Sequence, residues 1–328
     1  MISNLAMVNH ELPFGEVNIK GLTPARRLIK EKQKVVVVMG ATGSGKSRLS
    51  IDLATHFANC EIINSDKIQL HDGLDIVTNK ITPDEQRGVP HHLLGIASPF
   101  LDFGIAKFCR MATLAADSIV HRAHLPIIVG GSNSYVEALV DDYPTFRSKY
   151  ECCFLWVDVS MPLLHSSVSD RVDKMVENGL VEEVRNLFDP NNVDYSHGIR
   201  KAIGVPELDR YLRASNSDYE IREKLLQEAI AEIKANTCEL ACRQVDKILR
   251  LRNVKGWKIH RVDATEAFRK KGKEGDEAWT KLVAGPSAMI VAHFLTQPHG
   301  QPYLKHKAFR MPFKRAPTTA AAAAAAAR

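Results

Sequence analysis

Gly40-Ala41-Thr42-Gly43-Ser44-Gly45-Lys46-Ser47 stands directly behind the apolar run Val35 to Met39 and ahead of an amphipathic stretch carrying Leu49, Leu53, His56 and Phe57. This is a P-loop in the strand–turn–helix setting that the motif requires. Nothing else in the chain limits its fold as strongly, because the valine run must be buried in a sheet and the following helix must pack back over it. In such a loop successive backbone N–H groups converge on an anion, and a helix starting near Ser44 aims its positive end at the same point. Lys46 adds a full charge. The pattern predicts that Gly43, Ser44, Gly45, Lys46 and Ser47 bind phosphate.

The rest of the chain repeats this alternation. Strand-like runs Val35 to Val38, Glu61 to Ile63, Pro126 to Val129 and Phe154 to Val159 are separated by helical patterns, clearest over Gly45 to Phe57 and Phe103 to Arg122. That is the βαβ signature, and it predicts the α/β class: a P-loop NTPase-like parallel sheet flanked by helices. The runs are almost continuously apolar, as strands covered on both faces are, and they end at Gly40, Asp66, Gly130 and Asp158 or Ser160; ligands of open α/β sheets bind at such ends. Asp218 to Asn253 contains neither Gly nor Pro and predicts one long helix or two in series, within a mostly helical C-terminal half. A last helix is predicted over Ser287 to Leu295. The resulting division is an N-terminal extension (1–33), a P-loop α/β core (34–160), a helical region completing the core and substrate channel (161–296), and a basic, alanine-rich tail (297–328).

Of the 328 residues 45% are hydrophobic and 25% charged, ordinary for a globular protein, and no apolar run approaches the about eighteen residues of a membrane span. Cys60, Cys109, Cys152, Cys153, Cys238 and Cys242 form no spaced framework and read as reduced thiols. Cys238 and Cys242 lack two further ligands at finger-like spacing and read as core packing; His91 and His92 read as loop-positioning residues, and Asp141-Asp142 as a solvated turn. The net charge of +6 suits anionic ligands. Residues 1–33 lack the apolar core of a signal peptide and the serine-rich, acid-poor character of a clear transit peptide.

The P-loop stands in company: Ser65-Asp66-Lys67-Ile68-Gln69, Gly88-Val89-Pro90-His91-His92-Leu93-Leu94, Val129-Gly130-Gly131-Ser132-Asn133-Ser134-Tyr135, Asp170-Arg171-Val172, Gly179-Leu180-Val181-Glu182-Glu183, Arg200-Lys201-Ala202-Ile203-Gly204 and Thr237-Cys238-Glu239-Leu240-Ala241-Cys242-Arg243-Gln244. From about Lys34 to Leu251 this order resembles the isopentenyltransferases that prenylate adenine, nearest in wording to the plant adenylate type. The resemblance implies that the loop holds the diphosphate of dimethylallyl diphosphate and that no phosphoryl group is transferred. It implies Asp66 as general base, with Thr42 beside it bridging base and reacting centre, and Ser65 and Asp66 at the nucleotide. It also implies Arg243 reaching the diphosphate from the helical half, Ser132, Asn133 and Ser134 at the donor site, and Ser47 approaching a Mg²⁺ ion. Arg200 and Lys201 are candidates for diphosphate or nucleotide phosphate, a solvated charge pair being the other reading. For Asp66 the other reading is a Mg²⁺ or water ligand, as in other P-loop enzymes.

Prenylating an exocyclic amine requires a clamp that makes diphosphate a good leaving group, a base for the N6 proton and an apolar slot for five carbons. The activity so implied is transfer of the dimethylallyl group to N6 of adenine in ATP, ADP or AMP, in cytokinin biosynthesis, with a plastid location and the cytoplasm as alternative. Two other readings share the loop: a tRNA dimethylallyltransferase and a small-metabolite P-loop kinase. Against the first, only Val136 to Cys153 separates the Gly130-Gly131 loop from the next strand, leaving no helical insertion to grip an anticodon stem, so tRNA is not an expected partner. The kinase reading leaves the Asp66 and Gly130 segments unexplained.

Overall fold

The computed structural model describes residues 31–214 and 218–297. The basic, alanine-rich tail beyond Gln297 and nearly all of the N-terminal extension lie outside them. In chain order the elements are β1 (Gln33–Gly40), α1 (Lys46–Phe57), β2 (Cys60–Asn64), α2 (Pro83–Gln86), β3 (His91–His92), α3 (Ile105–His121), β4 (Leu125–Val129), α4 (Asn133–Glu137), α5 (Pro144–Lys149), β5 (Tyr150–Asp158), α6 (Met161–Glu177), α7 (Leu180–Leu187), α8 (Asp209–Arg213), α9 (Tyr219–Asn253), β6 (Ile259–Asp263), α10 (Thr265–Arg269), α11 (Gly272–Trp279) and α12 (Gly285–Thr296).

The six strands form one parallel sheet in the order β3-β2-β4-β1-β5-β6. β1 lies inside it, with Val36 beside Ile127 of β4 and Val37 beside Phe154 of β5. Alternation along β1 sends Val36 and Val38 into one apolar cluster with Leu49 and Leu53 of α1. Val35, Val37 and Met39 enter a second, with Phe108 and Ala112 of α3 and Ile248 and Leu251 of α9. Both faces are dry, which is why the strand tolerates four consecutive valines. Fully burying side chains of this size stabilises by about 1.5–3 kcal/mol each. A third cluster lies away from the sheet among helices, built from Val172, Leu180, Val184, Leu208, Ala229 and Ile233 with Leu74 and Val77.

Several boundaries differ from those read in the sequence. The strand expected from Phe154 begins at Tyr150, where it takes up the register with Gln33 of β1. His91 and His92 form a short edge strand against Ile62 and Ile63 rather than a loop. β6, not anticipated, pairs with β5 at the other edge. The Asp218 to Asn253 stretch forms a single 35-residue helix, Tyr219–Asn253, and the turn that carries Asp141 and Asp142 is π-helical. Among the described residues no helix is long and apolar enough to cross a membrane.

Candidate active site

The carboxyl ends of β1, β2 and β4 open into a cleft of about 250 Å³. Its floor is the glycine-rich loop with Thr42, Gly43, Gly45, Lys46 and Ser47; Asn64, Asp66 and Gln69 form one wall, Gly130 and Gly131 another, and Ser167 and Arg171 of α6 a third. Gly45 sits at φ 92°, immediately before α1. A Cβ there would also lie 2.6 Å from the Trp279 ring, so glycine is required by conformation and by space alike. Trp279 is held by its indole N–H donating to Asp52 (2.8 Å) and by the Arg48 guanidinium stacked 4.7 Å over the ring.

Lys46 is half-buried against the loop and donates to the Ala41 carbonyl (2.7 Å). Burial lowers its pKa to about 8; the charge of Asp66 opposes this, and that of Arg171 adds to it. Thr42 is gripped from two helices. Arg171 Nη2 of α6 donates to Thr42 Oγ1 (2.9 Å), and Gln244 Oε1 of α9 accepts from the Thr42 N–H (2.7 Å). Gln244 Nε2 in turn donates to the Gly131 carbonyl (2.9 Å). One amide thus ties the first phosphate-type loop to the second. Arg171 Nε is buried and has no partner among the described residues, and burial pulls the pKa of the guanidinium down against the pull of Asp66. A desolvated, half-satisfied guanidinium beside a cleft is suited to a bidentate anion.

Asp66 lies two residues past β2, on a turn built by Asn64. The Asn64 side chain accepts from the Asp66 N–H (3.1 Å) and donates to the Leu93 carbonyl (2.9 Å). Asp66 Oδ1 accepts from the Ile68 N–H (3.1 Å), so the backbone fixes one carboxylate oxygen. The other, Oδ2, faces Gly131, where a Cβ would come within 3.1 Å of it and 2.4 Å of Gln244 Nε2. Gln69 donates to the Thr78 and Asn79 carbonyls (3.0 Å each) and holds that stretch as cleft wall.

The structure therefore brings together Thr42, Gly43, Gly45, Lys46, Ser47 and Asp66. Ser44 and Ser65 are buried beneath them, and neither hydroxyl has a partner among the described residues. Other residues named from the sequence lie elsewhere. Arg243 is exposed on α9 and pairs with Glu239 (3.3 Å); its neighbour Gln244 is buried behind the cleft lining, where it joins Thr42 to Gly131. Ser132 accepts from the Lys67 N–H and Asn133 donates to the Gln244 carbonyl, so both brace the loop from outside the cleft lining, and Ser134 does not line it either. Arg200 is buried with its guanidinium on the carbonyls of Asp194 and Asn192 and over the Tyr195 ring, while Lys201 pairs with Asp102. Asp158 is bound by Arg261 (2.6 Å). The sequence reading gave no role to Arg171, Gln244, Asn64 or Gln69, although each lies in a segment it singled out or beside one.

A parallel α/β sheet with a glycine-rich loop at its carboxyl edge, faced by an acid and an arginine from separate elements, defines a protein built to handle a phosphorylated small molecule. The sequence model of the family described as IPP transferase matches residues 69–149 and 143–248, and the chain belongs to that family. It is 62% identical over 268 residues to an adenylate isopentenyltransferase 3, chloroplastic, of Arabidopsis thaliana, covering 80% of each chain. It is 59% identical over 283 residues to the chloroplastic adenylate isopentenyltransferase 5 of the same plant, covering 85% of this chain and 86% of that one. The fold matches that of a eukaryotic dimethylallyltransferase acting on tRNA with a TM-score of 0.68 at 24% identity, over 82% of this chain and 81% of the other.

Proposed function

We propose that this protein transfers the dimethylallyl group from dimethylallyl diphosphate to N6 of the adenine of ATP or ADP, and of AMP, releasing diphosphate, as a step of cytokinin biosynthesis. The observation that carries the reading is the placement of Asp66 Oδ2 in one cleft with Lys46, Thr42 and Arg171. The names of its relatives support the same activity. The loop amides, Lys46 and Arg171 take the diphosphate, whose charge grows as the C1–O bond breaks; donors fixed in advance around it favour the transition state over the bound substrate. Asp66 accepts the N6 proton while Ile68 and Asn64 keep its carboxylate oriented. Thr42, fixed by Arg171 and Gln244, stands between the two.

Among the described residues no cluster of three or more His, Cys, Asp or Glu could hold a metal. The oxygens that the cleft does present, the Ser47 hydroxyl and the Asp66 carboxylate, fit a Mg²⁺ bound mainly by substrate, since this ion keeps several waters and takes one or two protein oxygens plus phosphates. The Ser47 hydroxyl at the cleft floor would be its protein ligand, and the ion would neutralise charge on the leaving diphosphate. The chloroplastic relatives favour a plastid location.

Incubation with labelled dimethylallyl diphosphate and, separately, AMP, ADP, ATP and unmodified tRNA tests the reading. Labelled N6-prenyl nucleotide from the free acceptors is the expected product. Labelling of tRNA alone would replace this reading with the nucleic-acid one, and phosphoryl transfer from ATP without prenylation would replace it with a kinase.

A further inference from the structure

Four of the six cysteines belong to the sheet or to the helix covering it. Burial pushes the thiols of Cys60, Cys152 and Cys153 up to about 12 and that of Cys109 up to about 11, so they stay protonated and inert. Cys238 and Cys242 differ in having a histidine beside them. They lie four residues apart on α9, both half-buried, where α9 packs against α6. Both meet His165 of α6: Cys242 Sγ is 3.5 Å from His165 Nε2, and Cys238 Sγ is 4.0 Å from the His165 carbonyl. An imidazole nitrogen at that distance can take the thiol proton and hold the resulting thiolate, the arrangement that makes a cysteine nucleophilic.

We propose that Cys242, with His165 as its base, is an oxidative modification site that takes hydrogen peroxide, and that its sulfenic acid form slows the reaction in the cleft. The thiol gives its proton to His165 Nε2. The thiolate sulfur then attacks one peroxide oxygen; the S–O bond forms, the O–O bond breaks, and sulfur is oxidised by two electrons. The departing hydroxide takes the proton back from His165 and leaves as water. The product is the reversible first step of the thiol oxidation ladder. Its effect reaches the cleft through the two helices it separates. Six residues along α6 from His165, Arg171 holds the Thr42 hydroxyl; two residues along α9 from Cys242, Gln244 holds the Thr42 N–H. An added oxygen at this seam pushes apart the two elements that grip Thr42.

The full chain, treated with hydrogen peroxide in the presence of dimedone and read by peptide mass spectrometry, tests the site. Cys242 should carry the adduct first, at least about tenfold faster than the four thiols of the sheet and its covering helix, as a neighbouring base predicts. His165→Gln keeps a polar side chain but cannot take the proton, and should slow the labelling about tenfold. Wild-type prenyl transfer should fall on oxidation and return with dithiothreitol, whereas Cys242→Ser should be active and indifferent to peroxide. Even labelling of all six thiols, first labelling at Cys238, or unchanged labelling in His165→Gln would overturn the site. Full activity of the oxidised enzyme, or inactivation persisting in Cys242→Ser, would overturn its effect on the reaction. The effect on the cleft rests on the proposed activity but the labelling does not, so an untreated enzyme without prenyl transfer would count against the activity alone.

Discussion

Gln244 joins two loops that are far apart in sequence, and this makes its removal unusually informative. Gln244→Ala deletes the bond to the Thr42 N–H (2.7 Å) and the bond to the Gly131 carbonyl (2.9 Å). Each is worth about 0.5–1.5 kcal/mol net, so the variant should lose about 1–3 kcal/mol. Gly131→Ala reaches the same bonds from the other side, because its Cβ would stand 2.4 Å from Gln244 Nε2 and drive the amide out of place. If the two changes were independent, the double variant would lose about 2–6 kcal/mol; since they break the same bonds, it should lose about 1–3 kcal/mol, a coupling well above the few tenths seen for distant sites. Denaturant unfolding of the wild type, both single variants and the double variant measures this coupling. Turnover should fall in all three variants, and fall furthest in the two that carry Gly131→Ala, where the added methyl group also crowds Asp66 Oδ2. Additive losses, or a Gln244→Ala protein with wild-type stability and turnover, would refute the bracing role.

Asp66→Asn should bind dimethylallyl diphosphate normally but lose turnover about a hundredfold or more, the usual range for removing a general base; donor affinity and kcat measured separately check this. Donor affinity should weaken as pH rises through about 8, where the free enzyme's Lys46 loses its proton, and Lys46→Arg should remove that dependence in a binding titration. The same low pKa means that the cost of burying the charged amine is present below about 8 and fades as pH rises towards 10.5, so it contributes a rise in apo stability over that window. Glu61 is 3% exposed; burial pushes its pKa up, but hydrogen bonds from His92, Arg122 and His124 together with the Arg122 charge win and hold it at about 2. Its contribution is therefore full above about 4.5 and lost as pH falls through about 2. Glu61→Ala should cost about 1.5–3 kcal/mol at neutral pH, because the Arg122, His92 and His124 it leaves behind are partly exposed, and should flatten the acid limb of the stability profile.

The inner strands and the phosphate loop were legible because their signal is local: a short, unbroken run of β-branched residues bounded by a glycine turn reads as a strand covered on both sides. The edges were not. His91-His92 has no apolar run and becomes a strand only because Ile62 and Ile63 leave an open ladder beside it. In β6 only Ile259 and Val262 are buried, too little for a pattern. The site residues divide on the same principle. Lys46 follows from the loop motif and Thr42 and Asp66 from the resemblance, whereas Arg171 lies in Asp170-Arg171-Val172, a segment the resemblance includes without giving its arginine a role. Arg243 and Gln244 are neighbours on α9 and so point about 100° apart. Which of them turns towards Thr42 and Gly131 depends on the rotation of the helix about its axis, fixed by Ala241, Ile248 and Leu251 seating in the core. Arg200 shows the converse: a charge expected at a ligand is used to satisfy the carbonyls of a turn.

The tryptophan under Gly45 has a consequence for how the protein comes into being. Trp279 and its partner Asp52 on α1 are 227 positions apart. A ribosome adding about 5–20 residues per second needs roughly 10–45 s to cover that distance. Throughout that interval the nascent chain already holds every residue of the glycine-rich loop but not the indole that backs it. The first recognisable motif of the sequence is thus among the last parts of the molecule to become competent, and a chain interrupted before Trp279 would carry the motif without its support.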